Sequence, residues 1–188
     1  MSSSATDEEL VSLAVATGDQ AAFGELVSRH QSRVRGWLCQ LCGDAAEADD
    51  LAQETFLRAW ARLNTFAARG RFASWLMKLA YNEFLQSARK GQRRRRLAQQ
   101  FEAEAHVHTA TADESLAASG RGSEIPDLPR LLAVLGEEER HVMLLGYGCG
   151  FSHAEIGEIT GLAVGTVKSH MHRGKARIRE AFGLEETA

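Results

Sequence analysis

The chain has 188 residues, an ordinary apolar fraction of 44%, and a net charge of −3 from 22 basic and 25 acidic side chains. That length supports one or two small domains, each with a modest core. No apolar run of about 18 residues offers a membrane span, and the start MSSSATDEEL lacks the basic and apolar parts of a secretory signal. Three cysteines do not make a disulfide framework, so the expectation is a cytoplasmic protein without membrane insertion.

Thr6-Asp-Glu-Glu9 has the form of a capping box and opens a short helix ending near Gly18. Asp19 caps a second helix, in which Phe23, Leu26, Val27, Val34, Trp37, Leu38 and Leu41 suit a helical stripe that Gly43 ends. Asp44-Ala-Ala-Glu47 reads as another capping box, opening a helix through Leu51, Phe56, Leu57, Trp60 and Leu63. A polar, basic loop covers Asn64 to Arg71. A long helix then starts near Phe72, with Trp75, Leu76, Leu79, Ala80 and Phe84 as its buried side. It runs into RKGQRRRR, where six of the eight residues from Arg89 to Arg96 are basic.

Beyond this run the composition shifts to Ala, Ser, Thr and Gly with no apolar period able to build a core, which reads as a flexible linker whose first turns can be helical. A second helical region starts near Asp127, with helices around Leu131 to Leu135 and Glu137 to Leu145. The expected fold is all-α: two small helical domains, 1–97 and 127–188, joined by a linker over 98–126.

Ser152-His-Ala-Glu155 is a third capping box, starting a short helix. Gly161-Leu162-Ala163 makes a tight turn, and a longer helix begins near Val164. Short helix, glycine-containing turn and longer helix form the helix-turn-helix layout. In the longer helix Val167, Met171, Ile178 and Phe182 make one apolar stripe. Lys168, His172, Lys175 and Arg179 lie on a flank of it, with Ser169, Arg173 and Arg177 further round. Short polar and basic groups near the helix start suit base edges, and the later cations suit phosphates. Basic residues on a solvated helix usually just balance neighbouring acids. Here turn, cap and one-sided charge agree on DNA binding. Ala163 is a weak N-cap, and Gly174 costs the helix up to about 1 kcal/mol relative to Ala.

Three features stand together in the first half: AEADDLAQETFLRAW, then NTFAARGRFASWLMKLAYN, then the basic run. With FSHAEIGEITGLAVGTVKSHMHRGKARIR in the second half, the sequence resembles the extracytoplasmic-function (ECF) sigma factors of the bacterial sigma-70 family. The resemblance covers about Ala21 to Arg96 and Leu131 to Phe182. It implies an alternative sigma factor that binds core RNA polymerase, reads the minus-ten and minus-thirty-five elements of promoter DNA and helps melt it, commonly under an anti-sigma factor.

By that resemblance Asp49, Asp50, Gln53 and Glu54 are polymerase-contacting groups, with Phe56 and Trp60 mainly core. Phe66, Arg71, Ser74, Lys78, Asn82, Gln86 and Arg89 match the minus-ten reader, which needs amide or aromatic surfaces for unstacked bases and cations for the backbone. Trp75 falls on the apolar stripe and reads as core. Thr166, Lys168, Ser169, His170, His172, Arg173 and Arg177 match the minus-thirty-five reader. Gln86 stands where Asp is common in the family, His170 where Arg is usual, and AARGR replaces the commoner loop.

Cys39-Gln-Leu-Cys42 could bind zinc or form a redox pair, but no second local pair completes four ligands and no βαβ context surrounds it. Two small buried cysteines on a helix is the plainer reading. No phosphate-cradling loop, H-E-x-x-H or nucleophile elbow is present, so neither enzyme activity nor a cofactor or metal is expected. Two other readings fit parts of the chain. A self-sufficient helix-turn-helix regulator would account for the second half alone, and a sigma mimic would sequester an anti-sigma factor.

Overall fold

The computed structural model describes residues 5–66, 71–105 and 127–183, and every regular element among them is helical. The first domain contains α1 (Asp7–Thr17), α2 (Gln20–Cys42), α3 (Ala45–Ala61), a single 3-10 turn at Leu63–Thr65, and the long α4 (Phe72–Ala105). The Thr6 box forms as expected: the Glu9 N–H donates to the Thr6 hydroxyl, and the Thr6 N–H donates to Glu9 at 2.7 Å. Asp19 accepts from the N–H groups of Ala21 and Ala22.

Asp44 likewise accepts from Ala46 and Glu47, but the reciprocal half of its box is missing. The Glu47 carboxylate instead accepts from the Ser87 hydroxyl at 2.7 Å, so a local partner is exchanged for one that ties α3 to α4.

Leu26, Val34 and Leu38 of α2, Ala48 and Ala59 of α3, and Phe72, Leu76, Met77 and Ala80 of α4 are buried together. Each large side chain among them contributes about 1.5–3 kcal/mol by leaving water. The helix α4 continues beyond residue 97 to Ala105, so the basic run forms part of a helix. The rest of the expected linker, 106–126, lies outside the described residues.

The second domain contains α5 (Leu128–Ala133), α6 (Glu137–Met143), a π-helical turn at Leu144–Gly148, α7 (His153–Thr160) and α8 (Val164–Phe182). Val142, Leu145, Ile156, Ile159 and Val167 form its centre. The Ser152 box closes with Glu155. Gly161 ends α7 at φ +80°, a conformation that strains any residue with a Cβ, and this makes the tight turn into α8. Gly174 is buried against α6: a Cβ there would lie 3.1 Å from Met143 Cγ and 3.4 Å from Leu135 Cδ2. Its role is therefore close helix approach, which helix propensity alone does not reveal.

The two domains touch. α7 lies along α4, and the buried His141 ring sits edge-on to Tyr81 and Phe84 with centroids at 5.6 and 5.4 Å. The Tyr81 hydroxyl lies 3.5 Å from His141 Nδ1. Burial, and after it Arg140, pushes the His141 pKa down to about 4, against a smaller opposing pull from Glu138.

Candidate nucleic-acid interface and docking groove

A groove of about 540 Å³ runs between α2 and α3. Its floor is apolar, built from Phe23, Val27, Phe56, Leu57 and Trp60, and Gln31, Arg35, Asp49 and Gln53 edge it. Phe23 and Trp60 pack with centroids 5.0 Å apart. Leu57 is 58% exposed and Trp60 37%, large apolar groups left open to water in the last turns of α3, at the far end of the helix from its acidic start. The expectation that Trp60 is mainly core thus changes. Its ring lines the groove, and Phe56 is half-buried there.

Of the expected docking residues, Asp49 and Gln53 border this groove, and Asp50 and Glu54 are exposed on the same helix. Arg35 donates to both carboxylate oxygens of Asp49, which holds that carboxyl below the usual range. Glu54 accepts from Arg58 Nε at 2.8 Å, and Arg58 Nη1 lies 2.8 Å from the almost fully buried Glu83 of α4. Burial raises the Glu83 pKa in spite of Arg58. Phe23 and Val27, expected on the apolar stripe of α2, and Leu57, expected among the apolar residues of α3, line the groove instead, together with Gln31. A signal was available for Leu57, which stands on the side of α3 opposite Ala48, Leu51, Ala52, Thr55 and Ala59.

Arg71, just before α4, and Lys78, Asn82, Gln86 and Arg89 on it are exposed and recur at helical spacing along one face. At 1.5 Å per residue this face is about 27 Å long. Ser74 belongs to its first turns but is only 5% exposed, because its hydroxyl donates to Glu155 Oε1 of α7 at 3.0 Å. Arg71 Nη1 lies 3.5 Å from the same oxygen. Burial would raise the Glu155 pKa, but hydrogen bonds from Ser152 and Ser74, and Arg71 nearby, hold it below the usual carboxylate range. Phe66 is half-buried, 5.7 Å from both Phe72 and Trp75, so its ring is pinned at the start of α4 rather than standing free.

On α8, Val167, His170, Met171 and Gly174 face the core, while Thr166, Lys168, Ser169, His172, Arg173 and Arg177 are exposed. The structure therefore gathers six of the seven expected side chains on the solvent side. His170 is the exception: it is 7% exposed and its ring lies between Glu138 of α6 and Arg173. Ala163 offers no side-chain cap, and the Ser169 hydroxyl donates back to the Gly165 carbonyl.

Cys39 and Cys42 are half-buried, and burial, with Glu47 next, raises the Cys42 thiol to about 11, which keeps it protonated and unreactive at neutral pH. No cluster of three or more His, Cys, Asp or Glu side chains among the described residues is placed to hold a metal ion.

An all-helical pair of domains, one ending in a helix-turn-helix and the other carrying a polar, basic helix face and an open apolar groove, has the layout of a DNA-binding protein. The description of sigma-70 region 2 matches residues 26–95, and that of sigma-70 region 4 matches residues 126–178. The chain is 34% identical over 169 residues to the ECF RNA polymerase sigma factor SigE of Mycolicibacterium smegmatis, covering 88% of this chain and 64% of that relative's length. It is 29% identical over 178 residues to the ECF sigma factor SigW of Bacillus subtilis, covering 88% of this chain and 91% of SigW. Among solved structures it resembles the sigma factor RpoE in complex with the anti-sigma factor NepR from Bartonella quintana. That match has 26% identity and a TM-score of 0.67, covering 87% of this chain and 98% of RpoE. The chain belongs to the sigma-70 family, in its extracytoplasmic-function branch.

No described helix is long and apolar enough to cross a membrane.

Proposed function

We propose that this chain directs core RNA polymerase to promoters carrying two elements. Residues 1–97 dock through the α2–α3 groove and read the minus-ten element, residues 98–126 act as a tether, and residues 127–188 read the minus-thirty-five element. Leu57 and Trp60 are the apolar anchors of docking, with Asp49, Asp50, Gln53 and Glu54 as its polar surroundings. Lys78, Asn82, Gln86 and Arg89 lie along the separated strand, Asn82 hydrogen-bonding a base and the cations following phosphates. Arg71 and Ser74 join them once α7 carries Glu155 away from them, and Phe66 supports the start of the reading helix. In the major groove, Lys168, Ser169, His172 and Arg173 face bases, with Thr166 and Arg177 toward phosphates. His170 acts from inside the domain.

One observation carries this reading: a single chain presents two exposed, cation-bearing helix faces and, on a third surface, an open apolar groove. A lone regulator has no use for the groove, and a mimic has no use for the DNA faces. The chain itself performs no chemistry; the polymerase does, in the cytoplasm. The anti-sigma complex of the similar RpoE supports such an inhibitor as a partner here.

Transcription in vitro tests it. Purified protein, core polymerase and fragmented genomic DNA should give discrete starts sharing two upstream elements. Specific duplex binding by the chain alone, with neither starts nor polymerase binding, would instead support the lone regulator.

A further inference from the structure

Two carboxylates in the first turn of α6 face the recognition helix. Glu139 is 5% exposed, and its Oε2 accepts the Gly136 N–H at 3.1 Å. Arg173 Nε lies 3.5 Å from Glu139 Oε1, and Arg177 Nε lies 3.4 Å from Oε2. Next to this pair, Glu138 Oε2 is 3.0 Å from His170 Nε2, and His170 Nδ1 is 3.0 Å from Arg173 Nη2. A guanidinium can only donate, so Nδ1 accepts and the ring proton sits on Nε2, toward Glu138.

Both arginines meet Glu139 through their Nε edge, yet their side chains remain 57% and 53% exposed. Glu139 leaves the Nη donors, which make the fork that pairs with phosphate or guanine, unengaged on Arg177, while on Arg173 one Nη2 hydrogen goes to His170 and the rest stay open. A buried carboxylate needs partners, and here the partners are two cations of the DNA-reading helix. An anion in that place also weakens the general attraction for DNA phosphates.

We propose that Glu139 is a positioning residue that sets minus-thirty-five specificity, holding Arg173 and Arg177 in one arrangement before DNA arrives. The inference rests on α8 being the minus-thirty-five reader. Long side chains fixed in advance lose less freedom on the cognate site and cannot swing to compensate on a wrong one. Removing the charge therefore moves two quantities in opposite directions: discrimination falls, and non-specific binding holds or rises. A residue that merely supports the fold would lower both.

The test uses holoenzyme reconstituted with the full chain carrying Glu139→Gln or Glu139→Asp. The probes are a mapped promoter duplex, the same duplex with its minus-thirty-five element scrambled, and poly(dI-dC) for non-specific affinity. Glu139→Gln can still accept the Gly136 N–H, and is expected to lower the cognate-to-scrambled ratio about tenfold without lowering poly(dI-dC) binding. Glu139→Asp keeps the charge but withdraws it by one methylene, and is expected to lose the ratio with no gain in poly(dI-dC) binding. Should Glu139→Gln fail to fold, Glu139→Asp alone decides.

Wild-type ratios in the folded variants would overturn the inference, as would a parallel fall of both affinities with a lowered Tm. Wild-type holoenzyme that ignores the scramble would overturn the reading of α8, and this inference with it.

Discussion

Along α4 the side chains Lys78, Asn82, Gln86 and Arg89 stand in the open, and among the described residues no ion pair involves Lys78 or Arg89. Along α8 the comparable arginines, 173 and 177, lean on Glu139 of the neighbouring helix. The difference follows from architecture. α3 and α6 pack on the other sides of α4, and the one α3 carboxylate that reaches its later turns, Glu47, is taken by the Ser87 hydroxyl, so the open face carries no acid. α8 belongs to a small domain in which α6 lies alongside it. Two unpaired cations with two amides between them suit sequence-tolerant tracking of a backbone, and a braced pair suits selection between duplexes.

The largest expected effect concerns a feature that only the first domain has. Leu57→Asp with Trp60→Ala should weaken binding to core polymerase about 100-fold or more, because exposed aromatic and apolar anchors dominate such interfaces. The far-UV circular dichroism should keep its helical signal, since Leu57 is mostly exposed and Trp60 packs on Phe23 at the groove and not in the domain centre. Undiminished binding in a pull-down titration would remove the groove from the docking account.

Stability should also divide between the domains. Arg58→Ala leaves the buried Glu83 without its cation and should cost the first domain about 2–3 kcal/mol, partly screened because Arg58 is a third exposed. Glu83→Gln in the same chain should restore most of it in a thermal melt. Acid should act at the contact between domains. The buried His141 ring titrates near 4, whereas an unfolded histidine titrates near 6.5, so the unfolded chain binds the extra proton first. The stabilisation is complete above pH 6.5 and is lost as pH falls toward 4, by up to about 3 kcal/mol. His141→Gln should flatten that dependence in urea titrations across the window.

Smaller effects sharpen the contrast between the helices. Lys78→Ala should weaken promoter binding by holoenzyme about equally for all sequences and reduce the salt slope by about one. A change confined to one promoter sequence would place Lys78 against a base instead. Gly161→Ala should lower the stability of the second domain by about 1 kcal/mol through the left-handed turn alone.

The helices were readable because their caps and stripes are local: Thr6 with Glu9, Ser152 with Glu155, and the glycines that end α1, α2 and α7. What could not be read depends on helices meeting. Glu47 has the right spacing to complete a cap, but only the approach of Ser87 shows why it does not. Trp60 has a core residue's chemistry, and only the gap between α2 and α3 leaves it exposed. His170 sits within a basic motif, yet the helix turns it inward to Glu138. Gly174 reads as a helix weakness until Met143 is seen against it. Leu57 is the exception, since its place opposite the buried stripe was visible in the spacing.

The most direct measurement of the central claim is photocrosslinking from two positions in holoenzyme on a mapped promoter. A photoreactive amino acid in place of Asn82 on α4 should label the minus-ten region. One in place of His172 on α8 should label the minus-thirty-five region. Labelling of the same element from both positions, or of neither, would contradict the assignment of separate DNA elements to the two helices.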